Sequence, residues 1–186
     1  MDRKVKELML SLSDYAVVGE DQTILDALKE LQSSQEKLPP GRQPHRAILV
    51  RDKRGEIVGK LHHFAFLRAL VPERKDMGGA AIMDRAGVSD DIRDSSMKML
   101  DFLTAGLVDV CERAKNVIVR DVYTTTTISI DEDAALSEAI NSFLHHQTLS
   151  LLVTRRGKTV GILRLSDLFD ELARQIMQGD CMNERD

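Results

Sequence analysis

The chain runs to 186 residues, 42% of them hydrophobic and 30% charged, with a formal net charge of −4 and no tryptophan. That balance predicts a soluble globular fold of one domain, or of two small ones sharing a core, and it lacks the basic footprint and aromatic platforms of a general nucleic-acid binder. No apolar run reaches the roughly 20 residues that span a bilayer, and Met1-Asp2-Arg3-Lys4-Val5-Lys6-Glu7 has no apolar signal core, which predicts a cytoplasmic protein without membrane contact.

In chain order, a short strand is predicted at residues 16–18 and a helix over residues 23–32. The stretch Leu38-Pro39-Pro40-Gly41-Arg42-Gln43-Pro44 holds three of the four prolines and reads as a surface loop. Strands follow at residues 47–50 and 56–61, then a helix over 64–70. Residues 71–116 are too long for a simple link. Their first part is loop-like, whereas Met99, Leu103, Leu107 and Val110 recur at helical spacing, with Gly106 breaking or bending the helix. This predicts an ordered helical insert whose apolar face is covered by the same chain or by a second subunit. The run Thr124-Thr125-Thr126-Thr127 is β-prone, and residues 127–130 form an opening strand. Asp131-Glu132-Asp133 then suits the positive end of a helix carrying Leu136, Ala139, Ile140, Phe143 and Leu144 on one face. Strands at residues 149–154 and 159–163 flank a hairpin turn at Arg155-Arg156-Gly157-Lys158. A last helix bears the stripe Leu168, Leu172 and Ile176, with Ser166 or Asp167 as its cap.

The two halves repeat one another. Gly55-Glu56-Ile57-Val58-Gly59-Lys60-Leu61 returns 102 positions later as Gly157-Lys158-Thr159-Val160-Gly161-Ile162-Leu163, and the first helix returns 112 positions later. Each copy reads β-α-β-β-α, and a unit of this size buries its apolar face only against its neighbour. The predicted division is residues 1–70 as the first repeat, 71–116 as the insert, 117–178 as the second repeat and 179–186 as a polar tail.

A duplicated β-α-β-β-α unit with a Gly-x-x-x-Gly signature before its last helix resembles the CBS domain pair, also called a Bateman module. The likeness covers residues 5–70 and 117–176 and leaves the insert outside. In the second copy Val119-Arg120-Asp121-Val122-Tyr123-Thr124 stands at the family's opening D-x-M-T position, with Tyr123 in place of Met. Gly161-Ile162-Leu163-Arg164-Leu165-Ser166-Asp167 stands at its G-I-x-T-x-x-D position. The resemblance implies an α+β fold in which tandem repeats pack as one pseudo-twofold body. It further implies a homodimer and a regulatory role: binding AMP, ADP, ATP, S-adenosylmethionine or NADH between the copies and signalling to an effector protein. The implied ligand contacts are Leu163, Arg164, Ser166 and Asp167, with Thr124 and Thr127 lining the cleft.

On the family pattern Asp167 holds the ribose hydroxyls. Arg164 replaces the Ser/Thr that helps hold phosphate, and its guanidinium either grips phosphate through forked hydrogen bonds or pairs with Asp167. In the first copy His62 takes the Ser/Thr position and Ala65 the Asp position, so one site per chain is expected. The same three departures, His62, Ala65 and Arg164, favour a second reading, a dimeric interaction scaffold that has lost nucleotide binding.

Beside Ser166 at a helix start, Asp167 also caps backbone N–H groups whether or not a ligand binds. Neither His62-His63 nor His145-His146 chelates alone, because neighbours on a strand point to opposite faces and on a helix lie about 100° apart; no metal site is expected. Cys111 reads as a buried thiol and Cys181 as an incidental one. No phosphate-binding loop opens a helix and no nucleophile elbow appears, so no enzyme is read.

Overall fold

The computed structural model describes residues 3–70, 107–125 and 128–178. The first half contains β1 (Leu10–Ser11), β2 (Val17–Gly19), α1 (Ile24–Glu36), β3 (Ala47–Arg51), β4 (Ile57–His62) and α2 (His63–Leu70). The second contains α3 (Leu107–Asn116), β5 (Thr124–Thr125), β6 (Ser129–Asp131), α4 (Leu136–His146), β7 (Ser150–Arg155), β8 (Lys158–Arg164) and α5 (Leu165–Gln178). The chain is thus α+β, with β-α-β-β-α recurring as its unit. Thr23 starts α1 by reciprocal capping: its hydroxyl accepts the Asp26 N–H at 3.1 Å and the Asp26 carboxylate accepts the Thr23 N–H at 3.1 Å. With its start fixed in this way, α1 runs a turn beyond the expected end, to Glu36.

The strands form two four-stranded sheets, ordered β2-β3-β4-β5 and β1-β8-β7-β6. Each sheet borrows its edge strand from the other repeat. Leu10 and Ser11 of β1 pair with Ile162 and Gly161 of β8, while Thr124 and Thr125 of β5 pair with Lys60 and Gly59 of β4. The exchange extends further upstream. Val5 and Lys6 donate to the carbonyls of Ala134 (3.0 Å) and Glu132 (2.9 Å), and at the equivalent place Val119 and Arg120 donate to Gln22 (2.9 Å) and Glu20 (2.8 Å). Val5 lies in the core of the second repeat and Val119 in that of the first. The boundaries read from sequence therefore do not follow the bodies in space: the start of each repeat completes the other.

This crossing explains the duplicated glycines. Gly55 and Gly157 sit in turns at φ +88° and +77°, a region that favours glycine. A Cβ on Gly161 would overlap the Leu10 carbonyl, and one on Gly59 would overlap the Tyr123 ring and the Thr124 carbonyl. The second glycine of each motif admits the borrowed strand.

Each repeat buries its own apolar cluster, and a third, built on Leu10, Tyr15, Leu49, Leu152 and Ile162, forms the seam between the sheets. Helix α3 packs on α1 and α2; its Arg113 donates to the Ala69 carbonyl at 3.3 and 3.2 Å and its Ala114 joins the first core. Of the predicted helical stripe, Met99 and Leu103 lie outside the described residues, as does Gly106, while Leu107 and Val110 fall on α3. Cys111 is exposed and not buried as expected, because the buried face of α3 passes through Ala114. The acidic run before α4 also serves other ends than the helix dipole. Asp133 pairs with Lys4 and Lys6 at 3.1 and 2.8 Å, and Glu132, just past β6, binds Arg155 at the end of the neighbouring parallel strand β7. Among the described residues, no helix is long and apolar enough to cross a membrane.

Candidate functional site

Strand β8 passes into α5 without an intervening residue, so Arg164 ends the strand and Asp167 lies in the first turn of the helix, three positions on. Both are buried, at 5% and 6% exposure. They pair through two parallel hydrogen bonds, Nε to Oδ2 at 2.5 Å and Nη2 to Oδ1 at 2.6 Å, the forked geometry that guanidinium and carboxylate share. The remaining guanidinium nitrogen turns to the first repeat. Arg164 Nη1 donates to the Gln43 carbonyl at 2.7 Å and faces His45 Nδ1 at 3.3 Å. Arg42 Nη1 stands 3.6 Å from Asp167 Oδ1. The proline-rich loop thus meets the second repeat at its most polar buried point, in a cleft between the copies.

Because a guanidinium only donates, His45 Nδ1 accepts and the ring proton sits on Nε2. That Nε2 is buried, and neither it nor Arg42 Nη1 has a hydrogen-bond partner among the described residues. Burial, with the Arg164 charge beside it, pushes the His45 imidazole down to about 4, so it is neutral at pH 7. The Tyr15 ring lies 4.3 Å from the His45 ring, centroid to centroid, and its phenol is pushed up to about 12 by burial. Outside the pair, Gly41, Arg42, Asp167, Asp170, Glu171 and Arg174 line an open depression. There the Glu171 carboxyl is held down to about 2 by hydrogen bonds from Arg174, then Gln175 and Arg3.

The equivalent place in the first repeat has different chemistry. His62 Nδ1 accepts the Ala65 N–H at 3.1 Å, so the imidazole caps α2 where the second repeat has an ion pair. Near it Lys60 reaches across to Ser150, donating to its hydroxyl at 2.9 Å and its carbonyl at 3.3 Å. Burial lowers the pKa of this ammonium.

The family model for the CBS domain matches residues 5–72 and 119–174. The chain belongs to the CBS domain family. It carries two CBS segments, a pair, and solved CBS proteins share the fold. CBSX2 from Arabidopsis thaliana aligns over 96% of this chain and 99% of its own at 17% identity, with a TM-score of 0.59. A structure of CBSX2 in complex with AMP aligns over 94% and 98% at 19% identity, with a TM-score of 0.56. A CBS domain-containing protein from Kribbella flavida covers 92% and 98% at 16% identity, with a TM-score of 0.61. No curated protein matches the chain.

Within this CBS pair the residues expected to line one cleft are divided. Arg164 and Asp167 meet, with half-buried Ser166 on the same helical turn. Leu163 is fully buried in the second core, because strand alternation that turns Arg164 to the cleft turns its neighbour inward. Thr124 is exposed at the edge of the other sheet, paired with Lys60, because β5 is a borrowed strand. Thr127 lies outside the described residues. Sequence reasoning missed Tyr15, Arg42, Gln43 and His45. For Arg42, Gln43 and His45 the only signal was the extra length of the first-repeat loop, which says nothing of where a loop folds back, and Tyr15, ahead of β2, had none.

Proposed function

We propose that this CBS pair is a regulatory module that takes an adenine nucleotide or related adenosyl ligand at Arg164 and Asp167, in the cleft between the repeats, and passes its occupancy to a partner protein. One observation carries the reading: a buried carboxylate stands in the inter-repeat cleft with the Arg164 guanidinium at 2.5 Å. A carboxylate accepts from vicinal hydroxyls and guanidinium groups hold phosphate, so the residues present suit a ribose phosphate. AMP is the first ligand to test, since CBSX2 has been captured in complex with it. With Ala65 in place of the acceptor, the first repeat offers no equivalent site, and one ligand per chain is expected. Occupancy becomes a signal only if the ligand favours one arrangement of the chain over another. Exposed apolar side chains on α2, α4 and α5, among them Phe64, Leu67, Leu144 and Phe169, support a homodimer.

A second reading, a dimeric scaffold without nucleotide binding, draws on the same pair, because Arg164 already engages both oxygens of Asp167. Calorimetry with AMP, ADP, ATP, S-adenosylmethionine and NADH separates the two. The regulatory reading expects one site per chain, weakened by about 1.5–3 kcal/mol in Asp167→Ala. Arg164→Ala weakens AMP and ATP more than adenosine if Arg164 holds phosphate, and leaves binding equal or tighter if it only pairs with Asp167. No binding by any of the five selects the scaffold.

A further inference from the structure

The link between α1 and β3 spans residues 37–46, ten positions, whereas the equivalent link between α4 and β7 spans residues 147–149, three positions. The short link closes the second repeat without difficulty, so the additional length of the first is not needed to build a repeat. Nor does its far end lie free on the surface. His45 is fully buried, the Gln43 carbonyl accepts Arg164 Nη1 at 2.7 Å, and Arg42 stands 3.6 Å from Asp167. Gly41 turns the chain at φ +83°, and Pro39, Pro40 and Pro44 restrict the loop, lowering the entropy lost when it settles. The fit is incomplete: Arg42 Nη1 and His45 Nε2 are buried without hydrogen-bond partners among the described residues. Unmade bonds of this kind offset part of the gain from the contacts.

We propose that residues 37–46 are a built-in occupant of the cleft. Closed, the loop satisfies Arg164 with a backbone carbonyl and an imidazole, and shuts its guanidinium away from solutes. Open, it yields these positions to a ligand. The identity of that ligand rests on the nucleotide reading above; the closure does not. If the loop is closed most of the time, apparent affinity falls by the open fraction, and removing the loop restores it.

The test compares the full chain with two variants, one in which residues 37–46 are replaced by Gln-Thr-Leu, the link of the second repeat, and one carrying Pro39→Gly, Pro40→Gly and Pro44→Gly, which keeps the length but loosens the loop. The first readout needs no ligand: phenylglyoxal modification of Arg164, followed by peptide mass spectrometry. Arg164 is expected to be protected in the wild type and modified on the order of tenfold faster in both variants. Calorimetry with AMP is expected to show a gain of the same order. Equal modification of Arg164 in all three proteins overturns the proposal, and so does AMP binding of equal strength in all three. Loss of protection in the variants without AMP binding by any form supports the closure and instead refutes the nucleotide reading.

Discussion

At Arg164 and Asp167 a charged pair has been taken out of water, and such a pair is worth little in net stability, whereas an orphaned member is expensive. Asp167→Ala should therefore lower the unfolding free energy by about 3–5 kcal/mol, read from urea midpoints, while the double change Arg164→Met with Asp167→Leu stays within about 1 kcal/mol of the wild type. If the single and double variants lose equal stability, the loss does not come from leaving the Arg164 charge without its carboxylate. His45 supplies a pH signature. Its folded pKa lies near 4, below the ordinary value of 6.5, so between these values the unfolded chain binds the extra proton. Stability is then full above pH 6.5 and declines as pH falls through 4, by at most about 1.4 kcal/mol per pH unit. His45→Asn should flatten that part of the urea-midpoint profile. The roles of Asp167 and Arg164 as a facing pair were open to a sequence reading, three positions apart at a strand-to-helix junction. His45 was not, because nothing local marks a residue at a loop end as the one that will face an arginine 119 positions away.

Among the elements, the borrowed strands carry the most information. Gly161→Ala puts a methyl group against the Leu10 carbonyl, and because backbone cannot swing aside as a side chain does, a loss of about 1–3 kcal/mol is expected. Val119→Ala should cost a similar amount and, since Val119 is buried in the first core, should raise hydrogen exchange in β3 and β4 more than in β7 and β8. Greater exchange in the second sheet would contradict the crossing. The N-terminal segment is tied to α5 through Arg3 and Glu171. The Glu171 pKa is depressed to about 2 from 4.5, so its contribution is full above pH 4.5 and is lost as pH falls through 2. Glu171→Gln should flatten that acid limb. The glycine pair was visible in the sequence as a repeat. Its reason was not, because it lies in borrowed strands far along the chain, at Leu10 for Gly161 and at Thr124 for Gly59.

For the molecule as a whole, each repeat leaves apolar side chains on the outside after its own core is complete. Phe64 on α2 and Phe169 on α5 are 77% and 66% exposed, and Leu67, at the place equivalent to Phe169, is 51% exposed. A second copy of the chain would cover such a face, and sedimentation should report twice 20.8 kDa. Phe64→Asp combined with Phe169→Asp should give a monomer that keeps its helix content. A monomeric wild type at micromolar concentration would remove the homodimer from the proposed function.

The sequence by itself determined the repeat, the order of elements within each copy and the CBS membership, because periodicity, capping residues and turn glycines act over a few positions and leave their pattern in the chain. It also marked Asp167 and Arg164. What only the tertiary structure decided was which copy each piece completes: residues 3–11 belong in space with the second repeat and residues 117–125 with the first. It likewise decided that Leu163 is buried in the second core and Thr124 lies on the edge of the other sheet, and that a proline-rich loop read as surface ends inside the cleft. These are consequences of long-range pairing, in which a strand edge or a buried charge takes whichever partner the packed fold brings to it.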